Sequence, residues 1–225
     1  MIYTVGLALV AASMAAAAVG QSSRARRALA QHEAEAHYLA NHDTLTGLPN
    51  LRQAQALLAA MEAEARACDA QVIVAVIDID QFKEINETLG RTAGDALLQA
   101  VALRMRDLGG GCAARIGGDE FALMRTTDAS GAVDELALQI MAAFAPAFEV
   151  AGHSIDVSAS VGIAVSDRGA PSGNLLRNAD IAVAEAKERN RGGTVRFVPE
   201  MAEKIEVRRA LQMDLKNAIG KGELA

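Results

Sequence analysis

Apolar residues along this chain follow two spacings that alternate after residue 50. From about Leu51 to Ala67 they recur on one helical face, whereas Val72 to Ile77 is an unbroken apolar and β-branched run, typical of a strand buried on both faces. Further predicted helices cover about Gly94–Asp107, Ala129–Phe144 and Gly173–Arg189, and further predicted strands begin near Ala113 and cover Glu120–Arg125, Ser154–Val165 and Thr194–Val198. This alternation, with one tight hairpin, predicts an α+β fold in which helices cover a mixed sheet.

The N-terminal segment is apolar, because residues 2–20 carry no charged side chain and Arg24, Arg26 and Arg27 follow at once. As a helix this run would be about 28 Å long, close to the hydrocarbon thickness of a bilayer. We therefore predict a single-pass transmembrane anchor over residues 1–21 in the inner (cytoplasmic) membrane, with the following domain in the cytoplasm by the positive-inside rule. A cleaved signal peptide and a buried alanine-rich helix are the alternatives.

Residues 22–42 are charged, favour a helix and contain neither Gly nor Pro. Positions alternately four and three apart form a largely apolar seam that comprises Ala25, Leu29, His32, Ala36 and Leu39. Such a seam is typical of a short coiled coil and would support dimerisation, but a solvated linker helix has nearly the same pattern. Glycine and proline soon after this segment indicate that a separate domain begins at residue 43.

The composition narrows the class of partner. Hydrophobic residues make up 51% of the 225 residues, enough for one domain with extensions. The formal net charge of −6 argues against a nucleic-acid duplex, but metal ions could still bridge carboxylates to a nucleotide. Cys68 and Cys112 form no metal-binding or redox motif, which fits free thiols in a reducing compartment.

Two carboxylates stand at the end of the predicted buried strand, in Asp78 and Asp80. Residues i and i+2 of a strand share a face, so both acids would project from the same side. Buried carboxylates are unfavourable unless they are paired or bound to metal, which makes this pair a candidate site. The alternative is that Asp80 caps a helix and that Asp78 is incidental.

A second pair of acids, Asp119 and Glu120, follows Gly117 and Gly118 in the predicted hairpin. The glycines would make a tight turn, and without Cβ atoms they would let a ligand approach the backbone. Four converging carboxylates can bind two Mg²⁺ ions, which activate an attacking hydroxyl and stabilise a transferring phosphoryl group. A glycine hairpin with exposed acids is the simpler alternative, although the apolar residues beside the turn fit it poorly.

Basic and amide side chains elsewhere fit the same chemistry. Lys187, Arg189 and Arg191 lie near the end of the last predicted helix, where cations could bind a polyphosphate, although alone they more often compensate the helix dipole. Asn86 and Asp95 offer the amide and carboxylate that the edge of guanine requires, but as single residues they are not diagnostic. Spacing alone therefore predicts metal-dependent nucleotide chemistry.

Six separated blocks, over about residues 42–198, resemble the ordered signature of GGDEF-domain diguanylate cyclases. They are Asp43–Asn50, Asp78–Asn86, Gly90–Asp95, Gly117–Phe121, Ser160–Ile163, and Ala179-Asp180 with Ala186-Lys187. The resemblance implies a ferredoxin-like sheet of the cyclase and polymerase-palm type. It also implies that two GTP molecules condense to cyclic di-GMP and two pyrophosphates, in a homodimer whose domains each bind one GTP.

The same resemblance implies the metal and catalytic residues. Two Mg²⁺ or Mn²⁺ ions per active site would bind Asp78, the backbone carbonyl of Ile79, Asp119 and Glu120. Asp119 and Glu120 would be the catalytic pair, and Asp119 would assist deprotonation of the attacking 3′-hydroxyl.

The substrate contacts follow from the resemblance in the same way. Asn86 and Asp95 would bind guanine, and Gly117 and Gly118 would allow the close approach of GTP. The β- and γ-phosphates would contact Phe82, Lys83, Lys187 and Arg191.

Several family positions are changed in this chain. The product-inhibition site of the family has an RxxD motif, whose positions are Leu108 and Gly111 here, so the resemblance implies no inhibitory site. Leu51, Arg91 and Ala184 also depart from the usual residues. None of these changes removes a metal or guanine contact, but they leave the turnover rate open.

Residues 199–225 resemble the linker and first helix of an EAL-type phosphodiesterase domain. We therefore expect four parts: an anchor over 1–21, a helical linker over 22–42, a GGDEF domain over 43–198, and the start of a truncated EAL-type domain over 199–225. This organisation leaves a second possible function. The domain could be a GTP-binding regulator of a cyclic di-GMP phosphodiesterase, without cyclase turnover.

Overall fold

The structure is a computed structural model that describes residues 31–33, 35–108, 110–129, 131–168, 174–189 and 191–220. The chain divides between residues 42 and 43 into two units, and residues 35–41 of the first are helical. The expected anchor, and Ala25 and Leu29 of the expected seam, lie outside the described residues. In the part that the structure describes, no helix is both long and apolar enough to cross a membrane.

The second unit contains six helices and seven strands among its described residues. The helices are α1 (Leu51–Ala67), α2 (Phe82–Leu89), α3 (Arg91–Asp107), α4 (Ala132–Phe144), α5 (Leu175–Arg189) and α6 (Pro199–Gly220). The strands are β1 (Gln71–Ile79), β2 (Cys112–Arg115), β3 (Glu120–Thr127), β4 (Phe148–Val150), β5 (His153–Ile155), β6 (Ala159–Val165) and β7 (Thr194–Arg196).

Five strands form one mixed sheet in the order β2-β3-β1-β6-β7, while β4 and β5 form a separate hairpin. Strand β1 is antiparallel to both of its neighbours, and β6 and β7 are parallel. The central position of β1 follows from its composition, because each residue from Val72 to Ile77 is at most 1% exposed. The α+β fold with a mixed sheet that the apolar pattern predicts is confirmed.

Alternate residues of β1 face two different layers of helices. Ile73 and Ile77 belong to a core formed with α3 and α4, whereas Val72, Val74 and Val76 belong to a core formed with α1 and α5. Successive side chains of a strand point to opposite faces, so a strand between two helical layers must be apolar throughout. The polar residues that end β1 are therefore displayed at the edge of a rigid layer.

Some predicted elements differ from the structure. The single strand predicted over Ser154–Val165 is wrong, because residues 156–158 leave the sheet and Ser158 bonds to Asp80 instead. The hairpin of β4 and β5 was not predicted, since Ala151 occupies a left-handed turn position (φ 50°) that sequence patterns assign to glycine or asparagine. Helix α4 begins at Ala132 and not at the predicted Ala129, because Gly131 before it has a left-handed conformation (φ 90°).

Helix α2 was also not predicted, and α3 begins three residues before its predicted start. Gln81 in a left-handed conformation (φ 58°) precedes α2, and Gly90 (φ 85°) separates the two helices. Eight residues are too few to establish a clear apolar periodicity, so local pattern does not reveal α2. Gly173, the predicted start of the next helix, lies outside the described residues, and α5 begins at Leu175.

The contact of α5 with the sheet depends on Gly162 of β6. A Cβ atom there would lie 2.1 Å from the carbonyl oxygen of Ala179 and 2.3 Å from the amide nitrogen of Val183. The backbones of helix and strand therefore meet directly. Lys187 is one turn beyond Val183 on the same face of α5, so this contact also sets how far Lys187 lies from the sheet.

We predict that Gly162→Ala lowers the free energy of unfolding by about 1–3 kcal/mol, because the added methyl group meets backbone atoms that cannot rotate away. Denaturant unfolding followed by circular dichroism measures the change. Gly94→Ala is the matched control, since its methyl group meets only side-chain atoms. Equal stability of Gly162→Ala and the parent protein would contradict the close approach.

Candidate active site

The fold brings together the two acidic segments that the sequence separates. Asp78 of β1 is directly opposite Glu120 of β3 and Ser160 of β6 in the strand register. The amide of Ile79 donates a hydrogen bond to the carbonyl oxygen of Asp119, at 3.2 Å. The end of β1 and the start of β3 therefore place the carboxylate-bearing residues side by side at one edge of the sheet.

The carboxylate of Asp78 is nearly excluded from water, with 8% of its side chain exposed. Its Oδ2 atom is 2.5 Å from the ammonium Nζ of Lys187, which reaches it from α5. Burial raises the pKa of Asp78 above its ordinary value and Lys187 opposes this rise, while the charges of Asp119 and Asp80 add to it. A buried carboxylate in this position requires a positive partner.

Glu120 experiences the same accumulation of negative charge. Burial raises its pKa, and the charges of Asp180, Asp78 and Asp119 raise it further against the opposing effect of Lys187. Asp180, on α5, was not assigned a role from sequence, although it belongs to one of the family blocks. The site therefore carries more negative than positive charge around a half-buried carboxylate.

Asp80 lies beside this group and adds to its negative charge, but its carboxylate has different partners from those expected. Strand β1 ends at Ile79, and the buried Asp80 accepts hydrogen bonds of 2.7 Å from the hydroxyls of Ser158 and Ser160. Its carboxylate is therefore engaged in holding the segment before β6. Gln81, not Asp80, is the N-cap residue of α2.

Over the described ranges of the chain, no three acidic, His or Cys side chains form a ready-made group that could hold a metal ion. Two of the four expected acids have other partners in the structure. Lys187 occupies one oxygen of Asp78, and two serines occupy both oxygens of Asp80. Oxygen ligands for a divalent ion are adjacent, but their present partners are a lysine and hydroxyl groups.

A cavity of about 230 Å³ lies at this edge of the sheet. Its walls include seven of the residues expected to contact metal or substrate: Asp78, Ile79, Phe82, Lys83, Asp119, Lys187 and Arg191. The first two amides of α2, those of Phe82 and Lys83, have no acceptor within the helix and lie at its positive dipole end, so they suit phosphate oxygens. The cavity thus combines amides, three cationic side chains and carboxylates.

A larger cavity of about 620 Å³ lies on the other side of the first turn of α2. It shares Asp80, Gln81 and Glu84 with the smaller cavity, but none of the residues expected to bind metal or GTP lines it. Size therefore does not identify the chemical site in this fold.

The two residues expected to bind guanine lie on facing helices. Asn86 is half-buried on α2, its amide packs against Gly94 of α3, and the next residue, Asp95, is exposed. The structure therefore places Asn86 against the residue that precedes Asp95. Neither lines the 230 Å³ cavity, so the base and phosphate regions are adjacent surfaces of α2.

The hairpin glycines differ in their surroundings. A Cβ atom on Gly117 would lie 2.3 Å from an oxygen of Glu120, whereas one on Gly118 would meet nothing within 4 Å. Gly117 therefore makes room for the acidic side chain, and Gly118 leaves open space above the turn.

Arg115 holds this hairpin in place, a role that was missed from the sequence. Its guanidinium donates to the carbonyl oxygen of Gly118 through Nε (3.2 Å) and Nη2 (2.6 Å), and Nη1 donates to Asp43 at 2.9 Å. Asp43 also accepts bonds from the amide and hydroxyl of Thr46. Both Arg115 and Asp43 stand in recognisable motifs, but only the folded chain shows that they meet.

The two positions of the family's inhibitory motif carry no side chain that could form that site. Gly111 precedes β2, and a Cβ atom there would lie 2.5 Å from the carbonyl oxygen of Met124 on β3. Leu108 ends α3 and packs against the core. An aspartate at position 111 would require β3 to shift.

Comparison with known proteins shows the family to which this chain belongs. Residues 40–193 match the diguanylate cyclase GGDEF domain family. The signalling protein YkoW of Bacillus subtilis is 35% identical over 192 residues, 83% of this chain and 24% of that protein. The cyclic di-GMP phosphodiesterase PdeR of Escherichia coli is 34% identical over 83% of this chain and 28% of that protein. The diguanylate cyclase TpbB of Pseudomonas aeruginosa is 38% identical over 73% of this chain and 39% of that protein.

Solved structures show the same fold. The GGDEF domain of TpbB matches with a TM-score of 0.68 and 34% identity over 73% of this chain and 99% of that chain. The coiled coil and GGDEF domain of DgcB from Caulobacter crescentus, in complex with c-di-GMP, matches with a TM-score of 0.70 and 25% identity. This match covers 80% of this chain and 97% of that chain. This chain belongs to the GGDEF diguanylate cyclase domain family, and its expected palm-like α+β fold is confirmed. It spans about a quarter of the length of the curated relatives it matches first.

We predict that Arg115→Met lowers the free energy of unfolding by about 1–3 kcal/mol, because the carbonyl of Gly118 and the carboxylate of Asp43 lose their donor. Burial opposes ionisation of Asp43, but hydrogen bonds from Thr46 and Arg115 outweigh it and lower the pKa of Asp43 below 3.8. The stabilisation is therefore complete above pH 3.8 and is lost as the pH falls through the lower folded-state pKa.

Thermal unfolding of the parent protein and of Arg115→Met, at pH values above and below 3.8, measures the difference in stability. Arg177→Met is the control, because its 3.5 Å ion pair with Glu206 joins two largely exposed side chains and should contribute less than about 1 kcal/mol. An Arg115→Met effect no larger than that of the control would contradict the role of the clamp.

Proposed function

We propose that this chain is an active diguanylate cyclase that condenses two GTP molecules into cyclic di-GMP and two pyrophosphates. The observation that carries the proposal is the adjacency of Asp78, Asp119 and Glu120 to the first turn of α2 and to Lys187. The similar protein TpbB is named a diguanylate cyclase, which supports the same reaction here.

The chain's own groups suit the parts of GTP. Asn86 and Asp95 would bind the guanine edge, because an amide and a carboxylate complement its acceptor and its N–H donors. The amides at Phe82 and Lys83 would bind the β- and γ-phosphates together with the side chains of Lys187 and Arg191. Asp119 would accept the proton of the attacking 3′-hydroxyl, and the open space at Gly118 would let the nucleotide approach the turn.

The donor chemistry of the site fits divalent metal ions of the Mg²⁺ type. Asp78, the carbonyl of Ile79, Asp119 and Glu120 are hard oxygen ligands, and burial, with a smaller contribution from neighbouring carboxylates, raises the pKa values of Asp78 and Glu120. Two Mg²⁺ or Mn²⁺ ions would supply charge stabilisation and activation of a hydroxyl. Lys187 neutralises Asp78 in the present structure and must yield to such an ion or share the carboxylate with it.

The proposal includes assembly and location. Each domain would bind one GTP, so the reaction requires a homodimer with two sites face to face, which the expected coiled-coil linker over residues 22–42 would favour. The similar DgcB structure comprises a coiled coil with its GGDEF domain. The expected anchor over residues 1–21 would hold such a dimer at the inner membrane with its catalytic domains in the cytoplasm.

A regulatory function is the second candidate, and helix α6 favours it. Lys204 and Arg208 of α6 pair with Glu185 (3.1 Å) and Glu188 (2.7 Å) of α5, the helix that also carries Lys187. GTP bound at Lys187 would thereby act on α6, which forms most of the EAL-type segment expected over residues 199–225. The similar PdeR is named a cyclic di-GMP phosphodiesterase. Tight GTP binding without cyclic di-GMP formation would identify this function.

We predict that the protein, at high concentration with GTP and Mg²⁺, forms cyclic di-GMP, and that Asp119→Asn lowers the rate by about 100-fold or more because the proton acceptor and a metal ligand are lost. Chromatographic separation of the nucleotides measures the product. Asp107→Asn, at an exposed position at the end of α3, is the matched control. If the parent protein formed cyclic di-GMP no faster than Asp119→Asn does, the cyclase proposal would be overturned.

We predict that Glu120→Gln raises the thermal midpoint at neutral pH in the absence of divalent ions, because it removes the repulsion from Asp180, Asp78 and Asp119. Mg²⁺ should stabilise the parent protein and have little effect on this variant. Differential scanning calorimetry measures both changes, with Glu64→Gln on the exposed face of α1 as the control. The same response to Mg²⁺ in all three proteins would contradict metal binding at Glu120.

A further inference from the structure

Gly94 of α3 lies directly against two residues of α2 that face it. A Cβ atom at position 94 would be 2.0 Å from Oδ1 and 2.9 Å from Cγ of Asn86, and 3.3 Å from Cζ of Phe82. The carboxamide of Asn86 therefore packs on the bare backbone of α3. Any larger residue at position 94 would compete with that carboxamide for the same space.

The backbone of α3 does not itself require glycine at this position. Gly94 is inside the helix and is absent from the glycines with positive φ among the described residues, so alanine would adopt the same conformation. Glycine within a helix is less favourable than alanine by about 1 kcal/mol. Helix α3 thus forgoes stability at residue 94, and the feature that explains it is the close contact with Asn86.

We propose that Gly94 is a positioning residue for guanine selection, which acts by fixing the carboxamide of Asn86 beside the carboxylate of Asp95. The inference rests on the proposed function, in which Asn86 and Asp95 bind the base. Gly94 precedes Asp95 in α3 and touches Asn86 in α2, so it sets the spacing between the two groups.

Among the residues that the structure describes, packing and not a hydrogen bond holds the Asn86 side chain. The backbone carbonyl of Asn86 accepts a 3.1 Å hydrogen bond from Gly90, which fixes the end of α2 while leaving the carboxamide to be placed by packing. An added methyl group at position 94 would force the tip of Asn86 to rotate. Because only a side-chain tip must move, the helix pair should remain folded while the hydrogen-bonding geometry for guanine is lost.

The test compares four proteins: the parent, Gly94→Ala, Asn86→Ala and the double variant. Equilibrium binding of non-hydrolysable GTP and ATP analogues, with Mg²⁺, reports base selection separately from phosphate binding. Gly94→Ala should weaken binding of the GTP analogue about tenfold and leave binding of the ATP analogue unchanged. In the Asn86→Ala background, Gly94→Ala should cause no further loss, because residues that act through one contact are not additive.

The thermal midpoint of Gly94→Ala should equal or exceed that of the parent protein. The proposal is overturned if Gly94→Ala binds both analogues as the parent does, if it weakens both equally, if its effect persists in the Asn86→Ala background, or if it fails to fold. Failure of the parent protein itself to bind the GTP analogue would instead reject the proposed function.

Discussion

The carboxylate of Asp78 at the end of the central strand is the constraint on which the site depends. It is nearly excluded from water, directly opposite Glu120, and 2.5 Å from the ammonium group of Lys187. A carboxylate so placed is stable only with a positive partner, so the fold must supply one or leave the group protonated. In the proposed function, the same requirement would give the site an affinity for cations and, through them, for phosphates.

The scaffold around Asp78 follows from a few close contacts. Strand β1 is apolar throughout because helices cover both of its faces, which makes its polar end a rigid platform. Gly162 lets α5 approach the sheet and sets the position of Lys187, while Arg115 and Asp43 fix the glycine turn that precedes Glu120. Residues with no part in the chemistry therefore determine the distances between those that have one.

Sequence patterns predicted those features of the site that depend on residues close together in the chain. The unbroken apolar run of β1 and the acids beside the glycine turn could be recognised because strand burial and turn chemistry repeat over short distances. The engagement of Asp80 by Ser158 and Ser160 could not, because those serines are about 80 residues away. The Lys187 contact was missed for the same reason: spacing placed Lys187 near phosphates, and only tertiary packing brings it to Asp78.

In the proposed function, the buried charge of Asp78 makes nucleotide binding depend on a divalent ion. Titration calorimetry of GTP with the parent protein and Asp78→Asn, each with and without Mg²⁺, tests it most directly. We expect Mg²⁺ to strengthen binding of GTP to the parent protein and to have little effect on Asp78→Asn. An equal gain in affinity for both proteins would contradict the claim.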